Sequence, residues 1–425
     1  MVRFVYNLLF PAVFLFFLPP MIVKLIKRAG WKSTFGERFA LFSKHRRTEL
    51  NDWKGAIWLH AVSVGETNVA LSLLKKWEEN SPNQKFILST TTTTAQQIAR
   101  EKVSSNVKVV FAPLDYWPIV SRTLNVLKPS KLIIFETELW PELIWATKKR
   151  NIQLFLVNTR ISDHSYKGYY RFRFIFAPLL ENFNLICAQT QLDYDRLVNI
   201  APNLKEKIKI CGNIKFDQEP LKAPGFNYAE IFGDGMKVVL AASTHAPEES
   251  FILDVYQKIH SKFQNVRLVL VPRHAERGDE IEGILKDKGI SYHRRSKNTG
   301  KTDGYDVLLA DTTGELASFT KTADVVLIGK SFCGNTEGQS IIEPAILGKA
   351  IICGKQLKNF RQALDVLVRN NAVVRLNQDD ELEDALQNIL RDDVRRMNLG
   401  IIAAQTMRNN KGATNLILNN ILSVN

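Results

Sequence analysis

The chain contains 425 residues, of which 45% are hydrophobic, so it can bury more than one apolar core and lacks the composition of a disordered polymer. Its formal net charge of +14 at pH 7 favours anionic partners, namely nucleic acid, an anionic membrane or a phosphorylated substrate. The four cysteines, Cys187, Cys211, Cys333 and Cys353, are far apart and form no Cys-x-x-Cys motif, which argues against a zinc knuckle and a disulfide framework. Reduced thiols on the cytoplasmic side of a membrane fit this pattern.

The amino terminus contains an uncharged apolar run over residues 4–23, and about 20 such residues suffice to cross the hydrocarbon core of a bilayer. Prolines interrupt the run, so a spanning helix and a re-entrant helix both remain open. Basic residues follow in place of a small-residue cleavage site, which argues against a signal peptide and places the following domains in the cytoplasm. We predict a membrane anchor over residues 1–28, separable from the rest because the first sheet strand begins near Ala56.

Strands alternate with helical stretches in two series, which predicts an α/β protein with two parallel, doubly wound sheets. The predicted domains are an N-terminal domain over 29–218, a linker over 219–235 and a C-terminal domain over 236–400. The last predicted element is an amphipathic C-terminal helix over 401–425. The predicted strands are Ala56–His60, Lys85–Ser89, Lys108–Phe111, Lys131–Phe135, Leu154–Asn158, Leu185–Ala188, Ile208–Cys211, Lys237–Ala242, Arg267–Val271, Val307–Ala310, Val325–Ile328, Ala350–Cys353 and Val373–Arg375. The stretch Gly289–Gly304 is interpreted as an exposed basic loop.

The first strand runs into a turn and then a helix that begins with a carboxylate, Glu66. Such a turn lies at the carboxyl edge of an open α/β sheet, where ligands bind. Position alone does not separate a catalytic Glu66 from one that only complements the helix dipole.

Motifs along the whole chain resemble those of the Kdo transferases of lipopolysaccharide synthesis, where Kdo is 3-deoxy-D-manno-octulosonic acid. The stretch His60–Glu66 matches the family signature. Other matches follow in the family order: Glu136–Pro141, Gly212–Asp217, Ala242–His245, Pro272–His274, Asp311–Leu316 and Glu343–Ala345. Each match alone is weak, but the ordered set is specific.

The resemblance implies a GT-B fold of two Rossmann-like domains, with the C-terminal helix packing back on the N-terminal domain. It also implies an inverting glycosyltransferase that needs no cofactor. The donor would be CMP-Kdo, and the acceptor a lipid A precursor of the lipid IVA type in the anionic inner membrane. A single N-terminal anchor would hold the catalytic domains on the cytoplasmic side. No metal site and no nucleic-acid partner are expected.

In the N-terminal domain the resemblance assigns the catalytic base to Glu66. It assigns transition-state stabilisation to the motif with Glu136 and Glu138, of which Glu136 is preferred with little to separate the two. Lys215 would contact the donor carboxylate or phosphate as a point charge. Without the motif, a solvated lysine and a structural carboxylate pair would explain these residues equally well or better.

In the C-terminal domain the resemblance predicts contacts to CMP-Kdo along several motifs. Glu343 would bond ribose hydroxyls, and backbone groups of the Gly314 loop would meet cytosine. The chain has Gln339-Ser340 where the commoner family pattern has His-Asn, which weakens the assignment of Ser340. The predicted donor contacts are Ser243, Thr244, Pro272, Arg273, Gly314, Glu315, Leu316, Ser340, Ile341, Ile342 and Glu343.

The acceptor side is less specific. A basic-aromatic cluster fits lipid phosphates, nucleic acid or a solvated face, of which the solvated face is the commoner case. The cluster consists of Lys167, Tyr169, Tyr170, Arg171 and Arg173. Two rival functions stay open. One is a GT-B transferase that uses another nucleotide sugar, and the other is a membrane-tethered scaffold without catalysis.

Overall fold

The computed structural model describes residues 2–11, 14, 36–219, 223–297 and 304–424. The chain divides into two compact units. The first comprises Met1–Asp217 and Lys411–Asn425, and the second comprises Gln218–Asn410.

The first unit is built on a seven-stranded sheet with the order β3-β2-β1-β4-β5-β6-β7, and all its strand pairs are parallel. The strands are β1 Ile57–His60, β2 Phe86–Thr90, β3 Val107–Phe111, β4 Lys131–Phe135, β5 Gln153–Thr159, β6 Leu185–Ala188 and β7 Ile208–Ile210. The helices are α1 Lys44–Asn51, α2 Val64–Asn80, α3 Thr93–Lys102, α4 Trp117–Leu127, α5 Pro141–Lys149, α6 Asp163–Arg171, α7 Arg173–Leu180 and α8 Gln191–Ile200.

Both faces of this sheet are covered, which explains why its central strands are continuous apolar runs. Strands β1 and β2 are buried along their whole length. Trp58 of β1 pairs with Ile87 on one side and Leu132 on the other. The large side chains of Trp58, Phe135 and Phe155 are fully buried.

The second unit repeats this architecture in a parallel seven-stranded sheet with the order β10-β11-β9-β8-β12-β13-β14. The strands are β8 Lys237–Thr244, β9 Val266–Pro272, β10 Tyr292–Arg294, β11 Val307–Leu309, β12 Val325–Ile328, β13 Ala350–Cys353 and β14 Val374–Arg375. The helices are α9 Ala229–Phe232, α10 Glu248–Lys262, α11 Gly278–Asp287, α12 Leu316–Thr322, α13 Ile342–Ile346, α14 Arg361–Arg369, α15 Leu382–Arg391 and α16 Asp393–Asn409.

Both strand orders reverse direction at one point. In the first unit β2 and β3 follow β1 on one side of the sheet, and β4 then lies on the opposite side of β1. In the second unit β8 has the same position, with β9 on one side and β12 on the other. The carboxyl ends of strands at such a switch point form the usual ligand site of an open α/β sheet.

The prediction of an exposed loop over Gly289–Gly304 is wrong for its first part, because β10 extends the second sheet at Tyr292–Arg294. Arg294 is only 8% exposed. Its guanidinium lies 2.6 Å from an Asp311 carboxylate oxygen and 2.5 Å from one of Glu282. These counter-charges permit a basic residue to lie inside a sheet.

The carboxy-terminal residues form two helices rather than one. Helix α16 ends at Asn409 in the second unit. Gly412 then adopts a φ of 113°. The next helix, α17 (Ala413–Leu422), packs in the core of the first unit. The Asp217 carboxylate accepts hydrogen bonds from the Gly412 and Thr414 amides at 2.6 and 2.5 Å. Gly412 therefore separates the two helices, and Asp217 caps the second one.

The amino-terminal segment (residues 2–11) is helical and packs on the first unit rather than lying apart from it. Its Phe10 stacks on Tyr116 at a centroid distance of 5.4 Å, and its Tyr6 meets Trp145 at 5.9 Å. Much of the predicted anchor, namely residues 12, 13 and 15–28, lies outside the described residues. Within the described ranges, no helix combines the length and apolarity needed to cross a membrane.

Candidate active site

The switch point of the first sheet brings together residues from the ends of β1 and β4. The turn after β1 leads to Glu66 in the first turn of α2, and Glu136 directly follows β4. Glu136 has a φ of 54°, and Asn158 at the end of the neighbouring β5 has a φ of 53°. Non-glycine residues in this left-handed region are strained and concentrate at functional sites.

Glu66 is buried, with 5% of its surface exposed, and its carboxylate turns back on the start of α2. The Ser63 hydroxyl donates to one carboxylate oxygen at 2.8 Å, and the Val62 amide donates to the other at 2.8 Å. Burial, together with the charges of Glu138 and Glu136, raises the pKa of Glu66 to about 7, although these two hydrogen bonds lower it.

The hydrogen bonds of Glu66 resemble a capping box, because the Ser63 hydroxyl also accepts from the Glu66 amide at 3.2 Å. They occupy one acceptor position on each carboxylate oxygen, and each oxygen keeps a second lone pair. Glu66 therefore can cap α2 and still accept a proton. A pKa near 7 is the value expected of a general base that works at neutral pH.

Glu136 and Lys215 come from separate motifs, and the fold brings them together. The Lys215 ammonium lies 2.9 Å from a Glu136 carboxylate oxygen, and both side chains are partly exposed. Glu138 instead accepts a hydrogen bond from the Trp140 indole at 3.1 Å. The structure thus separates the two glutamates, since Glu136 has a cationic partner and Glu138 a neutral donor.

The position of Lys215 depends on two asparagines, one of which the sequence interpretation did not identify. The Asn213 side chain accepts a hydrogen bond from the Lys215 amide at 2.9 Å. The buried Asn158 side chain accepts from the Ile214 amide at 3.0 Å. Asn158 stands in an apolar strand, and only its tolerance of positive φ could have indicated a special position.

In the second unit the ends of β8 and β9 place four predicted donor residues side by side. Ser243 has a φ of 57°, and the strand pairing shifts between Ala242 and Thr244. Thr244 is buried, and its hydroxyl has no hydrogen-bond partner among the described residues. Thr244 pairs with Pro272 across the two strands. The Thr244 carbonyl accepts a hydrogen bond from the Arg273 amide at 3.0 Å, and the Arg273 side chain is exposed.

Glu248 organises this edge, although the sequence analysis gave it no role. It is fully buried, and its carboxylate accepts hydrogen bonds from the amides of His245, Lys330, Ser331 and Phe332 at 2.7 to 2.9 Å. These bonds join the end of β8 to the turn after β12, because His245 follows the first strand and the other three follow the second.

Four basic side chains gather at the same edge. The rings of His245 and His274 lie 5.7 Å apart. Burial lowers the pKa of His245, and the charges of Lys330 and His274 lower it further. Neither Arg273 nor Lys330 forms an ion pair with another residue that the structure describes. His274 lies 3.5 Å from a Glu276 carboxylate oxygen. Arg273 and Lys330, which have no such partner, are the groups suited to bind an anion.

The Asp311–Leu316 loop is held by ion pairs. Arg295 approaches the Glu315 carboxylate at 2.9 and 3.3 Å, and Asp311 binds the buried Arg294. Gly314 has a φ of 88°, and Leu316 begins α12. The Glu315 carboxylate is therefore already paired, which leaves the backbone of Gly314–Leu316 as the group available to a ligand.

Glu343, near the start of α13, differs from the other carboxylates of the second unit. One of its carboxylate oxygens is buried and has no hydrogen-bond partner among the described residues. Burial raises the pKa of Glu343, and no cation offsets this effect. Ser340 is exposed, whereas Ile341 and Ile342 are buried in the core, so only their backbone can meet a ligand.

No group of three or more His, Cys, Asp or Glu side chains suited to a metal ion occurs in the described part of the chain.

The two parallel sheets, each with a ligand edge at its switch point, define a GT-B-like α/β fold. A glycosyltransferase from Rickettsia africae shares the fold with a TM-score of 0.55 at 14% identity, over 87% of this chain and 97% of that one. UDP-GlcNAc 2-epimerase from Neisseria meningitidis shares it with a TM-score of 0.57 at 11% identity, over 86% and 99% of the two chains.

The model of the 3-deoxy-D-manno-octulosonic-acid transferase family matches residues 33–218. The 3-deoxy-D-manno-octulosonic acid transferase of Haemophilus influenzae is 30% identical over 366 residues, which cover 85% of each protein. A bifunctional glycosyltransferase/methyltransferase of Fusobacterium nucleatum is also 30% identical, over 78% of this chain, which spans only 52% of that protein. The chain belongs to the Kdo transferase family and is a glycosyltransferase.

Proposed function

We propose that the protein transfers Kdo from CMP-Kdo to a lipid A precursor during synthesis of the lipopolysaccharide core. Family membership supports the sugar and the reaction type. The observation that carries the proposal is Glu66, a buried carboxylate at the sheet switch point whose pKa of about 7 suits a base for the acceptor hydroxyl. The rest of the site can be assigned around it.

The residues of the first unit have distinct roles in an inverting transfer. Glu66 takes the proton of the acceptor hydroxyl as that oxygen attacks the anomeric carbon of Kdo. Lys215, held by Glu136 at 2.9 Å, supplies positive charge to the sugar carboxylate or the departing phosphate. Glu136 orients Lys215, because the ion pair between them fixes where the ammonium lies.

The second unit offers the complementary groups for the donor. Arg273 and Lys330 have no ion-pair partner among the described residues, so they are available to the CMP phosphate, with the Thr244 hydroxyl as a further donor. The unpartnered Glu343 oxygen suits the ribose hydroxyls, which are neutral hydrogen-bond donors. The backbone of Gly314–Leu316 is assigned to cytosine.

The acceptor and the membrane are assigned to exposed apolar surface of the first unit. Tyr170, Phe172 and Phe174 are exposed on α6 and α7 beside Arg171 and Arg173, which suits a phosphorylated lipid. The amino-terminal segment also exposes apolar side chains, among them Phe4, Leu8 and Leu9. We propose that these surfaces hold the protein on the cytoplasmic face of the inner membrane.

Two rivals are tested by one donor-turnover assay. Purified protein is given a detergent-dispersed lipid A precursor with CMP-Kdo or, in parallel, with a UDP-sugar. Formation of the glycosylated lipid is followed by mass, with added CMP or added UDP as competitor. We expect turnover that CMP inhibits and UDP does not. Inhibition by UDP alone would favour another nucleotide sugar, and absence of turnover with every donor would favour a scaffold.

A further inference from the structure

Two carboxylates lie buried next to each other at the start of α5, outside the site described above. Asp115 is 9% exposed, and Glu142 is fully buried. The Asp115 carboxylate accepts hydrogen bonds from the Leu143 amide at 2.8 Å and the Glu142 amide at 3.1 Å, so it caps α5. Burial raises the pKa of Asp115 to about 6.

The amino-terminal segment supplies the partners of both carboxylates. The Arg3 guanidinium binds Glu142 with two hydrogen bonds of 2.5 and 3.0 Å, and the Asn7 amide donates to the same carboxylate at 2.8 Å. The Tyr6 hydroxyl donates to Asp115 at 2.7 Å. Among the described residues, Arg3 is the only basic side chain that forms an ion pair with either carboxylate. A buried carboxylate is strongly destabilising without such a partner.

The start of α5 is also connected to the catalytic glutamates. Trp140 directly precedes α5, and its indole donates to Glu138. The Trp140 ring meets the His60 ring edge-on at 4.6 Å, and His60 ends the strand that leads to Glu66. A shift of the first turn of α5 would therefore move the loop that carries Glu136 and Glu138.

We propose that the amino-terminal segment positions the loop Glu136–Trp140 of the first unit. Arg3, Tyr6 and Asn7 are the positioning residues. Docking of the segment neutralises Glu142 and fixes the start of α5, and this keeps the catalytic loop in its active geometry. A tether to the membrane would not need these contacts, because the exposed apolar face of the same segment lies on Phe4, Leu8 and Leu9.

The test uses the full-length protein and compares Arg3→Met with Phe4→Ser. Arg3→Met keeps the aliphatic stem and removes the charge, whereas Phe4→Ser changes a side chain that is 71% exposed on the same segment. Hydrogen exchange of backbone amides over residues 136–145 needs no substrate. We expect Arg3→Met to speed this exchange by about tenfold or more as the loop opens locally, and Phe4→Ser to leave it unchanged.

The kinetic part rests on the proposed function and is measured with detergent-dispersed acceptor, so that membrane attachment does not limit the rate. A displaced catalytic loop lowers kcat by about 10-fold to 100-fold with little change in the KM for CMP-Kdo. The second change Glu142→Gln, added to Arg3→Met, should restore both exchange and kcat because it removes the unpaired charge. Tyr6→Phe should act in the same direction, more weakly, if Arg3→Met does not fold.

Wild-type exchange over residues 136–145 in Arg3→Met would overturn the proposal. So would faster exchange with unchanged kcat, because the segment would then stabilise α5 without positioning the loop. If the wild-type protein itself transferred no Kdo, the proposed function would fail, and the exchange comparison would still decide whether the segment holds the loop.

Discussion

At the residue scale, Glu66 is the central residue of the first unit, because it caps α2 and is also the proposed base. Its position was predictable from the strand-turn-helix pattern, and its catalytic role stays a prediction from the family resemblance. Its pKa was not predictable, because burial and the nearby Glu138 and Glu136 depend on the folded arrangement. The left-handed φ of Glu136 and Ser243 was equally hidden, since neither residue type favours that region and only tertiary contacts impose it.

Replacing Glu66 with Gln separates its two roles. Gln keeps the shape and can still accept hydrogen bonds, but it cannot take a proton at neutral pH. We expect turnover to fall by about 10²–10⁴-fold, the usual effect of a lost general base. CMP affinity, measured by calorimetry, should hardly change, because the proposed nucleotide contacts lie in the second unit. Nearly normal turnover together with a clear loss of melting temperature would show that Glu66 only caps α2.

The same residue predicts a pH dependence of turnover. A base must be ionised, so kcat/KM should fall about tenfold for each pH unit below about 7, which is the pKa of Glu66. Rates measured across the neutral range check this. An acid limb near pH 4 to 5, the ordinary range for a glutamate, would contradict the assignment.

The stability of the protein should depend on pH in the opposite direction to its turnover. Because the folded-state pKa of Glu66 is raised, its contribution to stability is fully present below its ordinary pKa and is lost as pH rises through about 7. The melting temperature of Glu66→Gln minus that of the wild type should therefore increase as the pH is raised from about 5 to about 8.5. A difference that is constant with pH would argue against a raised pKa.

At the element scale, the strands were the easiest feature to predict, because strands covered by helices on both faces must be continuously apolar. Strands such as Lys131–Phe135 and Val325–Ile328 were predicted with the bounds that the structure has. The strand Tyr292–Arg294 was missed, because the charge of Arg294 is neutralised by the Glu282 and Asp311 carboxylates, which come from other elements of the fold. The break at Gly412 was also missed, since the apolar periodicity continues across it.

The closing helix α17 gives a prediction at this scale. Its first amides are bound by Asp217, so Asp217→Ala should remove the cap and lower the free energy of unfolding by about 0.5–2 kcal/mol. Chemical denaturation measures this change. Asp52→Ala, at an exposed aspartate in the same unit, is the control and should have little effect. Equal stability of the two variants would mean that Asp217 does not hold α17.

At the scale of the whole molecule, the two units place their candidate groups by the same rule, at the carboxyl ends of the strands where the strand order reverses. The sequence predicted two such sheets from the alternation of strands and helices. It did not predict that the amino-terminal segment packs on the first unit, because the apolar run indicated a membrane anchor. The partner of Arg3 lies 139 positions further along the chain, and that of Tyr6 lies 109 positions further.

The measurement that tests the central proposal most directly is the mass of a lipid A precursor after incubation with purified full-length protein and CMP-Kdo. We expect the precursor to gain whole Kdo units while CMP is released in equal amount, and Glu66→Gln to give little product in the same time. An unchanged precursor with intact CMP-Kdo, or a gain in mass only with a UDP-sugar, would contradict the account.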